Sequence, residues 1–213
     1  MATILNGITG GFSGKVGNVI GGSWKGIDYM RSRATSISNP RTPAQVEQRA
    51  RFTAVGMFLR PLTAFLRIGF KNEAVKMSGY NAAMAYTLDN AITGIYPAFT
   101  IDYSKVMVSQ GNLPGALNPL SVSGTAGQVE FTWENNTWET NAIESDKSVL
   151  VVYNPSKQKA ISVVDGISRS VGSQTITLPN SFTGDEVQCY IAFMDAKKTV
   201  ISNSEYIGSL IVT

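Results

Sequence analysis

The spacing of apolar and polar residues changes twice along the chain. The first 36 residues are rich in glycine, and glycine or polar residues interrupt every apolar run. From residue 43 to about 93, apolar residues recur at helical spacing, and from residue 98 onward they alternate with polar residues. The pattern predicts an α+β protein with two domains, residues 1–97 and 98–213.

The Gly-rich stretch predicts a β-hairpin arm. Two β-type segments, residues 15–20 and 23–30, flank Gly21 and Gly22. A Gly-Gly step supplies the positive φ that a tight hairpin turn requires. The stretch has too few large apolar residues for a core of its own, so we expect it to lie on the rest of the chain or on a neighbour.

A helical hairpin is expected next. Thr42, Pro43 and Gln45 form a T-P-x-Q start in which Thr42 caps the helix and Gln45 completes a capping box. The first helix is predicted over about 43–69, with a kink or break near residues 57–60 because Pro61 lacks a backbone donor.

The second helix is predicted over about 79–93, with Ser78 as its cap. Beyond it, short segments with a two-residue period predict an Ig-like or fibronectin-like antiparallel β-sandwich. Trp133 and Tyr190 are expected in its core. The strand candidates are residues 99–103, 120–123, 128–133, 148–153, 160–164, 174–178, 186–193, 199–202 and 206–212.

Composition argues against catalysis. The chain has no histidine, which removes the commonest general base and every Ser–His or Cys–His pair. Its single cysteine, Cys189, excludes an intrachain disulfide. We interpret Cys189 as a small buried residue in an alternating strand. The sequence therefore favours a non-enzymatic protein without a metal or other cofactor.

Apolar runs are short throughout the chain. None approaches the roughly 18 residues that span a bilayer. Residues 1–30 lack the basic start and continuous apolar stretch of a signal peptide. We expect a protein without a membrane span, made in a cytoplasm and not exported by that route.

Charge is divided unevenly. Eleven Lys/Arg and three acids precede residue 78, a net +8, whereas seven Lys/Arg and twelve acids follow from there, a net −5. Such a chain suits docking of its basic part on an acidic partner, another copy included. The candidate partner-binding residues are Lys15, Trp24, Lys25, Tyr29, Arg31, Arg33 and Arg41.

The same residues leave nucleic acid open as a partner, since Trp24 and Tyr29 are able to stack on bases. The cations are scattered, however, and no reader motif is present. A protein partner is therefore favoured over nucleic acid.

Acidic residues cluster near two tryptophans, Trp133 and Trp138. The acids are Glu130, Glu134, Glu139, Glu144 and Asp146. We interpret them as a solvated acidic loop. The alternative is a carbohydrate or calcium site, with Trp133 and Trp138 as candidate glycan contacts.

Residues 10–33 (GGFSGKVGNVIGGSWKGIDYMRSR), 39–52 (NPRTPAQVEQRARF) and 190–212 (YIAFMDAKKTVISNSEYIGSLIV) together resemble a known family. It is an uncharacterised family of proteins from Bacteroidota and their phages, and the resemblance covers nearly the whole chain. It implies no activity or catalytic residues. The occurrence with phages implies a virion component (a tail, neck or capsid-associated subunit) assembled in the bacterial cytoplasm, and the occurrence in Bacteroidota equally implies a surface or matrix protein of the host.

The function favoured by the sequence is thus that of a structural protein that docks through its basic arm. Its expected partners are other copies of itself and other virion proteins. Two alternatives remain: an Ig-like module that binds a glycan or cell-surface receptor, and a nucleic-acid-associated structural protein.

Overall fold

The structure is a computed structural model that describes residues 3–4, 11–24, 27–36, 39 and 41–213. Its contacts divide the chain into two compact units, residues 1–42 and 43–213. The division precedes the helices, whereas the predicted domain boundary follows them at residue 97. The helices fall in unit 2 because they share a core with the sandwich.

Unit 1 is a small antiparallel sheet with strand order β1-β2-β3-β4. Its strands are β1 (Thr3–Ile4), β2 (Phe12–Val16), β3 (Val19–Trp24) and β4 (Ile27–Ser32). Val16 pairs with Val19, so the tight turn between β2 and β3 is Gly17-Asn18, and Gly17 has a φ of 56°. The predicted turn at Gly21-Gly22 is therefore wrong.

Gly21 and Gly22 lie inside β3, where there is no room for a larger side chain. A Cβ at Gly21 would collide with the backbone carbonyl oxygen of Phe12 and lie 2.7 Å from its Cδ2, and one at Gly22 would lie 2.9 Å from Oη of Tyr29. Both distances are too short for a real Cβ atom. Gly21 thus permits close approach of the Phe12 backbone and ring, and Gly22 makes room for the side chain of Tyr29.

Unit 2 begins with the helices α1 (Pro43–Leu59), α2 (Thr63–Gly69) and α3 (Gly79–Asn90). The predicted start at Pro43 and the break caused by Pro61 are confirmed: a 3-10 turn, Arg60–Leu62, separates α1 from α2. Ser78 caps α3, since its Oγ accepts a hydrogen bond from the amide of Asn81 at 3.2 Å.

The second helix is shorter than predicted. It ends at Asn90, because the next residues form β5 (Ile92–Ile95), which pairs with β6 (Ala98–Ile101) in a hairpin. Within the described residues, no helix is long and apolar enough to cross a membrane.

The remaining strands form the predicted sandwich of two antiparallel sheets. One sheet has the order β11-β8-β7, and the other has the order β10-β9-β12-β13. The predicted strand at 199–202 is reduced to two isolated bridges, Met194 with Ile201 and Leu113 with Ser202. The strands are β7 (Leu117–Val122), β8 (Gln128–Glu134), β9 (Lys147–Asn154), β10 (Lys159–Val163), β11 (Ser173–Thr177), β12 (Glu186–Met194) and β13 (Glu205–Ile211).

The four-stranded sheet is covered on both faces, so unit 2 has three layers. One face packs on the three-stranded sheet, and its core includes Phe131, Trp133, Leu150, Val152, Cys189 and Phe193. The other face packs on the helices, and that core includes Phe58, Leu59, Leu66, Val149, Val151 and Tyr190. Strands β9 and β12 are therefore buried almost throughout, and the expected alternation in residues 187–193 is wrong.

Candidate functional site

Strand pairing in unit 1 places basic and aromatic side chains on one face of the sheet. Ile20 pairs with Lys15 on β2 and with Arg31 on β4, while Gly22 pairs with Tyr29. Paired residues share a face, and residues two apart along a strand also share it. These residues therefore lie on the same face.

The same face continues at both ends of the sheet. Trp24 pairs with Ile27. At the other end, the amide of Arg33 donates a hydrogen bond to the carbonyl oxygen of Asn18 at 2.7 Å, which extends the ladder by one residue pair. We name this surface the basic–aromatic face: Lys15, Ile20, Trp24, Ile27, Tyr29, Arg31 and Arg33.

This face is open to solvent in the described structure. Trp24, Ile27 and Tyr29 are each about half exposed. The cations Lys15, Arg31 and Arg33 are exposed as well. None of them forms an ion pair with another described residue, so their positive charge is available to a partner.

The opposite face of the same sheet is apolar. Val16 pairs with Val19, and both are exposed. Met30 on β4 is 71% exposed. Asp28 is the charged residue that alternation along β4 places on this side. A one-layer sheet with large apolar side chains exposed on both faces is typical of a segment that a partner covers.

The structure brings together five of the seven candidate partner-binding residues: Lys15, Trp24, Tyr29, Arg31 and Arg33. Lys25 lies outside the described residues. Arg41 is exposed, outside the strands, with a φ of 48°. Ile20 and Ile27 also belong to the basic–aromatic face and were not predicted; the strand register reveals them once the turn is placed at Gly17-Asn18.

The tryptophans near the acidic residues differ in burial. Trp133 is 5% exposed, and its Nε1 donates a hydrogen bond to the carbonyl oxygen of Arg169 at 2.7 Å. Its ring packs against Phe193 with centroids 5.4 Å apart, so it has no surface to offer a sugar. Trp138 is 76% exposed and is the tryptophan of the pair that a ligand would reach.

The acidic residues around them do not converge on one point. Asp146 is buried and pairs with Arg169, with Nε and Oδ2 at 3.2 Å. Glu134 accepts from Nδ2 of Asn118, and Glu139 accepts from Nδ2 of Asn136. In the part of the chain that the structure describes, no three acidic, Cys or His side chains are grouped as metal ligands would be.

Arg169 organises this region from inside. Its Nη1 donates to Oδ1 of Asn136 at 2.7 Å and to the carbonyl oxygen of Gly115 at 2.9 Å, and its Nη2 donates to the carbonyl oxygen of Pro114 at 2.9 Å. Burial lowers the pKa of Arg169, and the charge of Asp146 acts in the opposite direction. Arginine stays protonated in proteins, so its charged hydrogen bonds hold these loops together at any ordinary pH.

Cys189 is buried, as predicted. Burial raises the pKa of its thiol to about 12. A thiol with such a pKa is not ionised at neutral pH and is a poor nucleophile.

A groove of about 730 Å³ lies between α1 and α3. Arg51 at its rim pairs with Glu47 at 2.8 Å, and its guanidinium lies 5.2 Å from the ring centroid of Phe99. The groove has a mixed polar and apolar lining: Gln48, Arg51, Phe52, Met77, Asn81, Met84, Ala85, Leu88 and Asp89. No nucleophile–base pair is present among these side chains.

The protein is thus an α+β protein whose second unit carries an Ig-like, fibronectin-like sandwich. The chain belongs to the family described as "Family of unknown function (DUF6266)", whose model matches residues 11–208. The match includes most of both units.

One solved structure to which the chain is similar is the solution structure of the fn3 domain of the human collagen alpha-1(XX) chain. The TM-score is 0.35 and the identity 11%, over 48% of this chain and 87% of that domain. Comparison with curated proteins finds no match.

Proposed function

We propose that the protein is a non-enzymatic structural subunit that joins an assembly through the basic–aromatic face of its arm. The observation that carries this proposal is the register of unit 1, which gathers Lys15, Arg31 and Arg33 beside Trp24 and Tyr29 on an exposed face. Aromatic residues and arginine dominate the binding energy of protein interfaces. The apolar opposite face gives a second reason for a covering partner.

The chemistry of unit 2 supports binding over catalysis. Its cysteine is buried with a raised pKa, and the buried carboxylate of Asp146 is held by Arg169. Side chains of this kind stabilise a fold, whereas a nucleophile or general base must be within reach of a substrate.

The setting we propose is a virion, with the protein as a tail, neck or capsid-associated subunit assembled in the bacterial cytoplasm. The resemblance of residues 10–33 and 39–52 to a family from Bacteroidota and their phages supports this setting. The partners would be other copies of the chain and other virion proteins.

The arm proposal is tested by comparing native mass at several protein concentrations. The arm variant is Trp24→Ser with Tyr29→Ser and Arg31→Ser, and we expect it to shift from oligomer to monomer. A matched control removes cations elsewhere, Arg60→Ser with Arg67→Ser on the helices, and we expect it to assemble like the wild type. If the arm variant assembles as the wild type does, the proposal is wrong.

Nucleic acid is the second candidate partner, because cations and aromatic rings on one face of a sheet would also suit phosphates and bases. This candidate predicts binding to single-stranded DNA that weakens steeply as salt rises. Binding of that kind, lost in the arm variant and kept in the helix control, would favour nucleic acid over protein.

A further inference from the structure

The three-stranded sheet of the sandwich has one face in the core and one in solvent. Strand β8 alternates between buried and outward residues, and Glu130 is on the outward side. Val122 on β7 and Thr175 on β11 pair with Glu130 and therefore share that side. We name this surface the acidic sheet face: Leu120, Val122, Glu130, Thr132, Glu134 and Thr175.

The acidic sheet face is both apolar and negative. Leu120 is 64% exposed and Val122 is 52% exposed, which is unusual for side chains in regular strands of a monomer. Strands β7, β8 and β11 contain two glutamates and neither Lys nor Arg. Within the described part of the chain, the carboxylate of Glu130 has no hydrogen-bond or ion-pair partner.

We infer that the acidic sheet face of one copy receives the basic–aromatic face of the arm of a second copy. The inference rests on the proposed function and names the surface that the arm binds. Lys15, Arg31 and Arg33 would face the two glutamates. The side chains of Trp24 and Ile27 would cover Leu120 and Val122.

The geometry of the two surfaces suits face-to-face packing. Each is the face of an antiparallel sheet, with side chains on one side repeating every two residues. Two such faces interdigitate at about 10 Å, as in a sandwich core. The cations of the arm and the glutamates of the sandwich have the opposite charges that such a contact requires.

The other surfaces of unit 2 fit the arm less well. The four-stranded sheet has no open face, because the three-stranded sheet covers one side and the helices cover the other. The helical surface carries exposed cations of its own, including Arg49, Arg60 and Arg67. Like charges would repel the arm there.

The contact would join two different surfaces of two copies. The link from the arm enters unit 2 at Pro43 of α1, in the layer on the other side of the four-stranded sheet from the acidic sheet face. A contact between unlike surfaces leaves one arm and one face unfilled at the ends. It therefore continues into a closed ring or a filament.

Complementation between two defective variants tests the inference. The arm variant is again Trp24→Ser with Tyr29→Ser and Arg31→Ser, and the face variant is Val122→Ser with Glu130→Lys. Each alone should lose self-association, with an apparent Kd raised at least tenfold. Mixed in equal amounts, they should form a 1:1 heterodimer, because one supplies an intact arm and the other an intact face. That heterodimer should weaken between 50 and 500 mM salt.

Two control variants make the readout specific. Arg60→Ser with Arg67→Ser removes two cations from the helices, and Glu186→Lys reverses an exposed acid at the start of β12. Both should assemble like the wild type. All variants should keep the wild-type near-UV circular dichroism, so that a loss of assembly is not a loss of fold.

The outcomes separate this inference from the function on which it rests. If the face variant assembles normally while the arm variant does not, the arm docks elsewhere and only the inference fails. The inference also fails if the mixture gives no heterodimer. A wild-type chain that stays monomeric at all concentrations overturns self-association and leaves docking on a different virion protein. If both variants assemble normally, both ideas are wrong.

Discussion

The guanidinium of Arg169 and the carboxylate of Asp146 form an ion pair in the interior of the sandwich, with Nε and Oδ2 3.2 Å apart and both side chains at most 1% exposed. The pair is joined to Asn136 and to the ring of Phe193, whose centroid lies 3.9 Å from the guanidinium carbon. Each of the three guanidinium nitrogens donates at least one hydrogen bond to a described residue. Two residues 23 positions apart are thereby fixed against each other.

Replacing Asp146 by alanine should destabilise unit 2 strongly. The change leaves the charge of Arg169 buried without its counterion, and breaking a buried pair in this way typically costs about 3–5 kcal/mol. We expect the midpoint of urea unfolding to fall accordingly. The matched control is Asp165→Ala, which removes an exposed ion pair with Lys198. It should leave the midpoint unchanged, and equal effects of the two substitutions would contradict this account.

Local signals in the sequence were sufficient to predict the helices and most of the strands. Thr42-Pro43, Pro61 and Ser78 each act through their own backbone neighbours, so the start of α1, its break and the start of α3 were predictable. These features depend on a few adjacent residues and little else.

The packing of the helices on the four-stranded sheet, which gives unit 2 its third layer, was not predicted. It depends on contacts between residues far apart in sequence. Residues 149–153 (VLVVY) and 189–194 (CYIAFM) are apolar at every position. A strand buried on one face alternates, whereas a strand buried on both faces reads as a continuous apolar run. These two continuous apolar runs were the signal that the helices cover the second face of the sheet. Because the helices share this core, the chain divides into its two units before the helices and not after them.

The arm shows the other limit of sequence reasoning. Gly17-Asn18 and Gly21-Gly22 are both acceptable turn pairs, and a shift of register by a few residues changes which side chains share a face. In the register that the structure adopts, Phe12 lies against Gly21 and Tyr29 lies against Gly22. Composition singled out the basic and aromatic residues of the arm as candidates, but it did not predict that five of them share a face.

This reading of the arm predicts opposite outcomes at two glycines. Gly21→Ala would bring a Cβ into collision with the backbone carbonyl oxygen of Phe12 and within 2.7 Å of its Cδ2, so β2 and β3 must separate locally. We expect lost assembly with no change in the urea midpoint of unit 2. Gly17→Asn should be tolerated, because asparagine adopts positive φ readily and nothing lies within 4 Å of its Cβ. Native mass checks both, and the turn assignment is wrong if Gly17→Asn is the disruptive change.

Alkaline pH should reveal the burial of Cys189. Its pKa rises from an ordinary value of 9.0 to about 12 in the folded protein, because burial disfavours the thiolate. Between those values the unfolded chain loses the proton and the folded chain keeps it. The stability contributed by this group is therefore complete below pH 9 and is lost as pH rises towards 12, by up to about 1.4 kcal/mol per pH unit.

The measurement compares the wild type with Cys189→Ala across pH 8–11. Tyr153, whose pKa is also raised to about 12, titrates in both proteins, so its contribution cancels in the difference. The difference in free energy of unfolding should be constant up to about pH 9 and should shift against the wild type above it. A constant difference over the whole range would show that the thiol does not resist ionisation.

The two tryptophans near the acidic loop separate stability from glycan binding. Trp133→Ala removes a buried ring and its hydrogen bond to Arg169, and should lower the free energy of unfolding by about 3–5 kcal/mol. Trp138→Ala removes a ring that is 76% exposed, and should change stability by no more than about 0.5 kcal/mol. Urea unfolding distinguishes these effects. A glycan array tests sugar binding. Binding by the wild type that is abolished in Trp138→Ala would establish the sandwich as a sugar-binding module. If the wild type gives no signal on the array, assembly through the arm is the stronger proposal.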